Sequence, residues 1–191
     1  MKQPSLSTRT SLGWDLAILL AVWLAVTVLP RRSELRGSKS RAERAALWAI
    51  LIGYLAVYAW LVLFYRRTFA ASRAIPVPLR SYREAFSLEG GLHIVRLGLA
   101  RQILLNILVY VPLGCVLPCL LWERRHPMRI TLALGITLSV LTEFSQYFTR
   151  RGYCETDDLI NNTLGCLLGM ALFALSRAVL RPRDKDRSTG V

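Results

Sequence analysis

The sequence predicts an all-α integral membrane protein of about five transmembrane helices, the last three bundled around a polar pocket near one leaflet. Three observations lead there. Of 191 residues, 53% are hydrophobic, yet 25 are Lys or Arg against 12 Asp or Glu, a net charge of +13. A chain that is at once basic and greasy suits a small membrane protein, its arginines set in the connections beside anionic lipid head groups. Five apolar runs approach the ~20 residues needed to cross about 30 Å of hydrocarbon. Finally, the costly polar residues gather at the ends of the last three runs.

The first run, Trp14 to Pro30, is followed by Arg31 and Arg32 rather than a small-residue cleavage site, so it reads as a retained anchor and not a signal peptide. The second, Ala45 to Tyr65, carries Trp48, Tyr54, Tyr58, Trp60 and Phe64. The third runs from Ile103 to Trp122, the fourth from Ile130 to Phe148 and the fifth from Leu159 to Leu180. Residues 1–65 form a unit of two helices and a basic loop. Residues 66–180 form a second, an amphipathic loop plus three helices, and 181–191 a polar tail. Pro76 and Pro78 enforce an extended lead into a short amphipathic piece on the membrane surface. Lys and Arg are slightly more numerous on the side of the first and third connections and the C-terminus. The C-terminus is therefore expected in the cytoplasm of a multi-pass cell-membrane protein, with the fourth connection outside.

Geometry brings the polar residues together. The third helix starts on the side where the fourth ends and the fifth begins. Asn106, Glu143, Gln146, Asp158 and Asn162 therefore all lie near one membrane face. Glu143 and Gln146 are three residues apart and share a helix face, as do Asp158, Asn162, Gly165 and Gly169. Gly165 and Gly169 make a small-xxx-small pair that permits close helix approach, within or between chains. Pro112 and Gly114 suggest a kink with a small-residue notch. The plain alternative is structural: Asp157 or Asp158 as a helix cap, Gln146 and Asn162 as bridges between helices. Glu143 resists that reading, because a carboxylate below the membrane surface costs a few kcal/mol unless paired. Arg150 or Arg151 is the expected partner for it or for Glu155.

Other chemistries find little support. There is no zinc-finger spacing, RNA-binding signature or basic helix with interleaved aromatics, so no nucleic-acid partner is expected. Cys115, Cys119 and Cys166 fall in apolar runs and Cys154 in a polar loop. None forms a metal set or a disulfide framework, and no cofactor is expected. His93 and His126 lie apart, and no Ser-His pairing or phosphate loop is visible.

Three blocks carry a family resemblance: "NILVYVPLG" from Asn106, "TEFSQYF" from Thr142 and "RRGYCETDDLINNTLGCLLG" from Arg150. In that order they resemble the signature blocks of the VanZ-like family, over about Leu79 to Leu175. The first two spans match only in hydrophobicity. The resemblance implies a small bacterial membrane protein, in a family whose first-described member lowers susceptibility to teicoplanin. It also implies motif roles for Asn106, Pro112, Gly114, Glu143, Gln146, Arg151, Asp158, Asn162 and Gly165, with Glu155 where many relatives carry aspartate. It implies no settled activity. Four functions stay open. One is binding or remodelling of a cell-wall precursor lipid or envelope protein, with Arg150 and Arg151 as cation sites. A second is an enzyme on a lipid-linked substrate with Glu143 and Asp158 as acid–base pair. The others are a transporter and a ligand-free scaffold.

Overall fold

The computed structural model describes residues 41–65, 68, 70–87 and 93–180. The first expected span, Trp14 to Pro30, and the polar tail lie outside these residues. Among those described, four helices are long and apolar enough to cross a membrane. They are α1 (Arg41–Trp60, continued by a π-helical turn Leu61–Tyr65), α3 (His93–Leu120), α4 (Pro127–Thr149) and α5 (Thr156–Leu180). A short helix α2 (Arg80–Phe86) and two strands, β1 (Arg73–Ile75) and β2 (Tyr153–Glu155), complete the fold.

α3 is the axis. Tyr110 through Leu120 are all buried, so this half of the helix is enclosed on every side, and α5 is its main neighbour. Glycine explains the closeness of that pair. A Cβ on Gly114 would stand 2.1 Å from the Cys166 carbonyl oxygen. One on Gly165 would stand 2.0 Å from that of Ile107, and one on Gly169 2.2 Å from that of Val111. These are backbone-on-backbone contacts that no other residue type fits. The small-residue pair at Gly165 and Gly169 thus packs within the chain. α3 runs on through Pro112 and Pro118, each lacking the N–H that would bond the preceding turn.

The long second connection is more structured than expected. α3 begins at His93, ten residues before its apolar run, because a helix continues past the hydrocarbon wherever its polar residues can reach water. At 1.5 Å per residue its 28 residues span about 42 Å, beyond the hydrocarbon thickness. It also stops at Leu120, short of Trp122. α4 and α5 start three residues earlier than their apolar runs, at Pro127 (a residue suited to the first helical turn) and Thr156. α2 packs on α3 with Ser81 and Ala85 buried and Phe86 exposed, and Arg96 Nε donates to the Ala85 carbonyl at 3.2 Å.

The strands were not foreseen. β1 and β2 pair in parallel, Ala74 opposite Cys154, tying the second connection to the fourth. Partners eighty residues apart leave no local pattern to read. At the other end of the bundle, Arg44 makes a two-armed ion pair with Glu123, both contacts 3.0 Å, and the Arg177 guanidinium lies 3.5 Å from the centre of the Trp122 ring. The two ends of the molecule therefore differ: one is joined by the Arg44–Glu123 pair and the Arg177–Trp122 contact, the other carries the strands, α2, Glu143, Asp157 and Asp158.

Candidate functional site

At the strand-bearing end, α1, α3, α4 and α5 enclose a cavity of about 320 Å³. Asn106, Glu143, Gln146, Asp158 and Asn162 all line it. Helical spacing accounts for each. Glu143 and Gln146 project from the last two turns of α4, and Asp158 and Asn162 stand four apart on the first two turns of α5. These four are only 1–5% exposed.

Their bonds are specific. Asn106 Nδ2 donates to Asp158 Oδ1 at 2.5 Å, joining α3 to α5. The Glu155 backbone N–H donates to Glu143 Oε2 at 2.9 Å, so the end of β2 is held by a carboxylate of α4. Asn162 Nδ2 donates to Ser139 Oγ at 2.9 Å. Tyr58, which lines the cavity with Thr142 and Val109, has its Oη 2.8 Å from Thr142 Oγ1 and 3.1 Å from Tyr110 Oη, and Tyr54 donates to the Val109 carbonyl.

Two expected members stand outside the lining. Arg151 follows the C-terminal cap of α4, where Arg150 adopts a left-handed φ of 57° and turns the chain away from the helix. Its Nη1 donates to the Phe64 carbonyl at 2.9 Å, and its guanidinium lies 6.0 Å from the centre of that ring. It braces α1 instead of pairing with Glu143. Glu155 is in β2 and contributes its backbone N–H, not its carboxylate, to Glu143.

Asp157 is also not the cap of its own helix. Its carboxylate accepts the N–H groups of Leu79 at 2.5 Å and Ser81 at 2.7 Å, so it caps α2 from across the fold. Next to it Tyr82 donates to Asn161 Oδ1 at 2.5 Å. Burial, and secondarily the Asp157 charge, raise the Tyr82 phenol above its ordinary pKa.

Sequence reading missed other lining residues of the cavity: Tyr58, Thr142, Gly98, Arg101 and Gln102. The signal existed. Gly98, Arg101, Gln102, Leu105, Asn106 and Val109 are spaced as one helix face, which placing residues 98–102 in a loop obscured.

The family follows from this frame. A family model described as VanZ/LLP1 matches residues 16–177. The chain belongs to this family. No curated protein and no solved structure matches it. The VanZ/LLP1 match reaches well upstream of Leu79, where the motif resemblance starts, and takes in the second N-terminal apolar run and nearly all of the first. The chain is thus a helical, multi-pass membrane protein of the VanZ/LLP1 family.

The electrostatics of the site can be read at Cys154, in β2 beside it. Burial raises this thiol's pKa, and the charges of Glu143 and then Asp158 raise it further, since a thiolate is repelled by carboxylates. Replacing Glu143 with glutamine, which keeps an acceptor for the Glu155 N–H, should therefore shift the pH profile of Cys154 alkylation to lower pH. An unchanged profile would mean that Glu143 puts no negative charge near β2.

Proposed function

We propose that this VanZ/LLP1 protein holds the polar head group of a cell-envelope lipid in its cavity and thereby lowers susceptibility to glycopeptides such as teicoplanin. One observation carries the reading. Two carboxylates and four carboxamides, donated by three different helices, face a single cavity in a membrane-embedded bundle. Placing a charged group at the centre of a membrane helix costs about 3 kcal/mol, and such residues turn inward for a function. Packing alone would be served better by apolar side chains. The small excess of Lys and Arg on the opposite side supports this end of the bundle facing outside the cell, where glycopeptides meet their targets. Anionic lipids around the basic connections and, beyond them, a cell-wall precursor lipid or envelope protein are the partners this reading calls for.

The test is susceptibility. Expressed at equal membrane level in a teicoplanin-sensitive host, the wild-type chain should raise the inhibitory concentration, and Glu143→Gln and Asp158→Asn should return it to the host's baseline. Full protection by both variants would overturn the reading.

A second reading has one observation in its favour: Glu143 and Asp158 line the same cavity. An acid–base pair acting on a lipid-linked substrate would need that arrangement. It predicts that folded Glu143→Gln loses turnover of such a lipid while still binding it.

A further inference from the structure

We propose that the head group taken by this cavity is a glycosyl one, rich in hydroxyls and carried on a lipid, with its anionic linkage, where it has one, held outside at Arg101. This rests on the head-group reading above and adds the chemical class of the ligand.

The cavity wall mixes donors and acceptors. A carboxylate only accepts hydrogen bonds, a guanidinium only donates, and a carboxamide does both. The cavity presents all three kinds, with Glu143, Asp158, Gln146, Asn162 and Gln102 in its wall and Arg101 at its edge. A phosphate group only accepts, and inside it would face two carboxylates that repel it. An ammonium group only donates and can accept nothing from a carboxamide N–H. A hydroxyl both donates and accepts. Several hydroxyls on one ring can therefore answer both halves of this wall, as neither simple ionic head group can.

Exposure also changes along α3. Gly98, Arg101, Gln102, Leu105, Asn106 and Val109 form a face about 16 Å long at 1.5 Å per residue. Arg101 is exposed at the outer end of this face, whereas Glu143, Gln146, Asp158 and Asn162 are almost wholly buried. The cation is thus kept at the mouth and the hydroxyl-matching groups inside. Leu61 and Val62 of α1 and Leu105 and Val109 of α3 complete the wall, giving a hydrocarbon tail a compatible path between α1 and α3. At about 320 Å³ the cavity is at the small end of the roughly 300–1,000 Å³ typical of ligand sites, room for a head group and not for a whole lipid.

The experiment uses the full chain in detergent micelles and native mass spectrometry. The probes are glucosyl-diacylglycerol, phosphatidylglycerol and phosphatidylethanolamine with matched acyl chains, together with water-soluble methyl glucoside. The glucosyl lipid should bind at least about tenfold more tightly than the other three probes. Gln102→Leu and Glu143→Gln should each remove most of that preference. Gln102 is half-buried at the outer wall, so its variant remains informative should Glu143→Gln fail to fold. Preference for phosphatidylglycerol, abolished by Arg101→Ala, would overturn the glycosyl assignment and leave the head-group reading standing. So would preference for phosphatidylethanolamine, lost in Glu143→Gln. Equal affinity for methyl glucoside would overturn the lipid-borne part. Binding of no lipid, or binding indifferent to every cavity variant, would overturn both readings.

Discussion

Replacing Gly165 with leucine is expected to separate α5 from α3 and strip the protein from the membrane fraction. Even alanine would set its Cβ 2.0 Å from the Ile107 carbonyl oxygen and 3.0 Å from the Tyr110 Cβ. The first obstacle is helix backbone, which cannot swing aside as a side-chain tip can. Overpacking of a close-packed core costs about 1–3 kcal/mol, and a whole leucine here should exceed that range. Against a total stability of about 5–15 kcal/mol this is decisive for a small bundle. Gly114 and Gly169 interlock at the same seam, so their alanine variants should behave similarly. Gly53→Ala is the control, since nothing lies within 4 Å of its would-be Cβ. Thermal unfolding in detergent and the membrane level of each variant measure the effect. A Gly165→Leu protein as stable as Gly53→Ala would contradict the α3–α5 packing.

Asp157→Ala should have the next largest effect, and a more local one. Asp157 is 2% exposed, and its two oxygens hold the N–H groups that begin α2. Leu79, one of those donors, has a φ of 59°, a left-handed conformation that a leucine rarely adopts. The carboxylate thus holds in place a turn that would otherwise relax. Hydrogen bonds to a charged group are each worth about 1.5–3 kcal/mol, so losing both should cost about 3 kcal/mol or more. The loss should be confined to α2 and β1: faster amide exchange and protease cutting over residues 70–87, with the long helices intact. Asp157→Asn, which keeps one acceptor oxygen, should lose about half as much. Uniform destabilisation of α3, α4 and α5 would assign Asp157 to the bundle instead.

Both predictions bear on what was legible in the sequence. The four long helices among the described residues were, because an apolar run of spanning length has few alternatives in a membrane. So was the convergence of Asn106, Glu143, Gln146, Asp158 and Asn162, because the alternation of helix direction fixes which ends are neighbours. The hydroxyl network of Tyr58, Tyr110 and Thr142 was hidden, since a tyrosine in an apolar run gives no sign of which helix its hydroxyl will reach. Arg151 was misplaced for a different reason. Charge matching suggested a carboxylate partner, but the left-handed cap at Arg150 aims the following residue at the Phe64 carbonyl. Asp157 and Asp158 show the limit most clearly. They are adjacent in one helical turn, yet Asp158 lines the cavity and Asp157 caps α2. About 100° of helix rotation separates their roles, and only the placement of α2 reveals what Asp157 meets.

A cavity working at the outer face of the cell would leave Cys154 open to reagents applied from outside. This cysteine is adjacent to Glu155, whose N–H is bound to Glu143, and it is half-buried, whereas Cys115, Cys119 and Cys166 are at most 3% exposed. Its raised pKa calls for labelling at mildly alkaline pH. A membrane-impermeant maleimide applied to intact cells should label the wild-type protein and not Cys154→Ala. Labelling only after the cells are opened would put the cavity at the cytoplasmic face and contradict a function exerted at the outer surface.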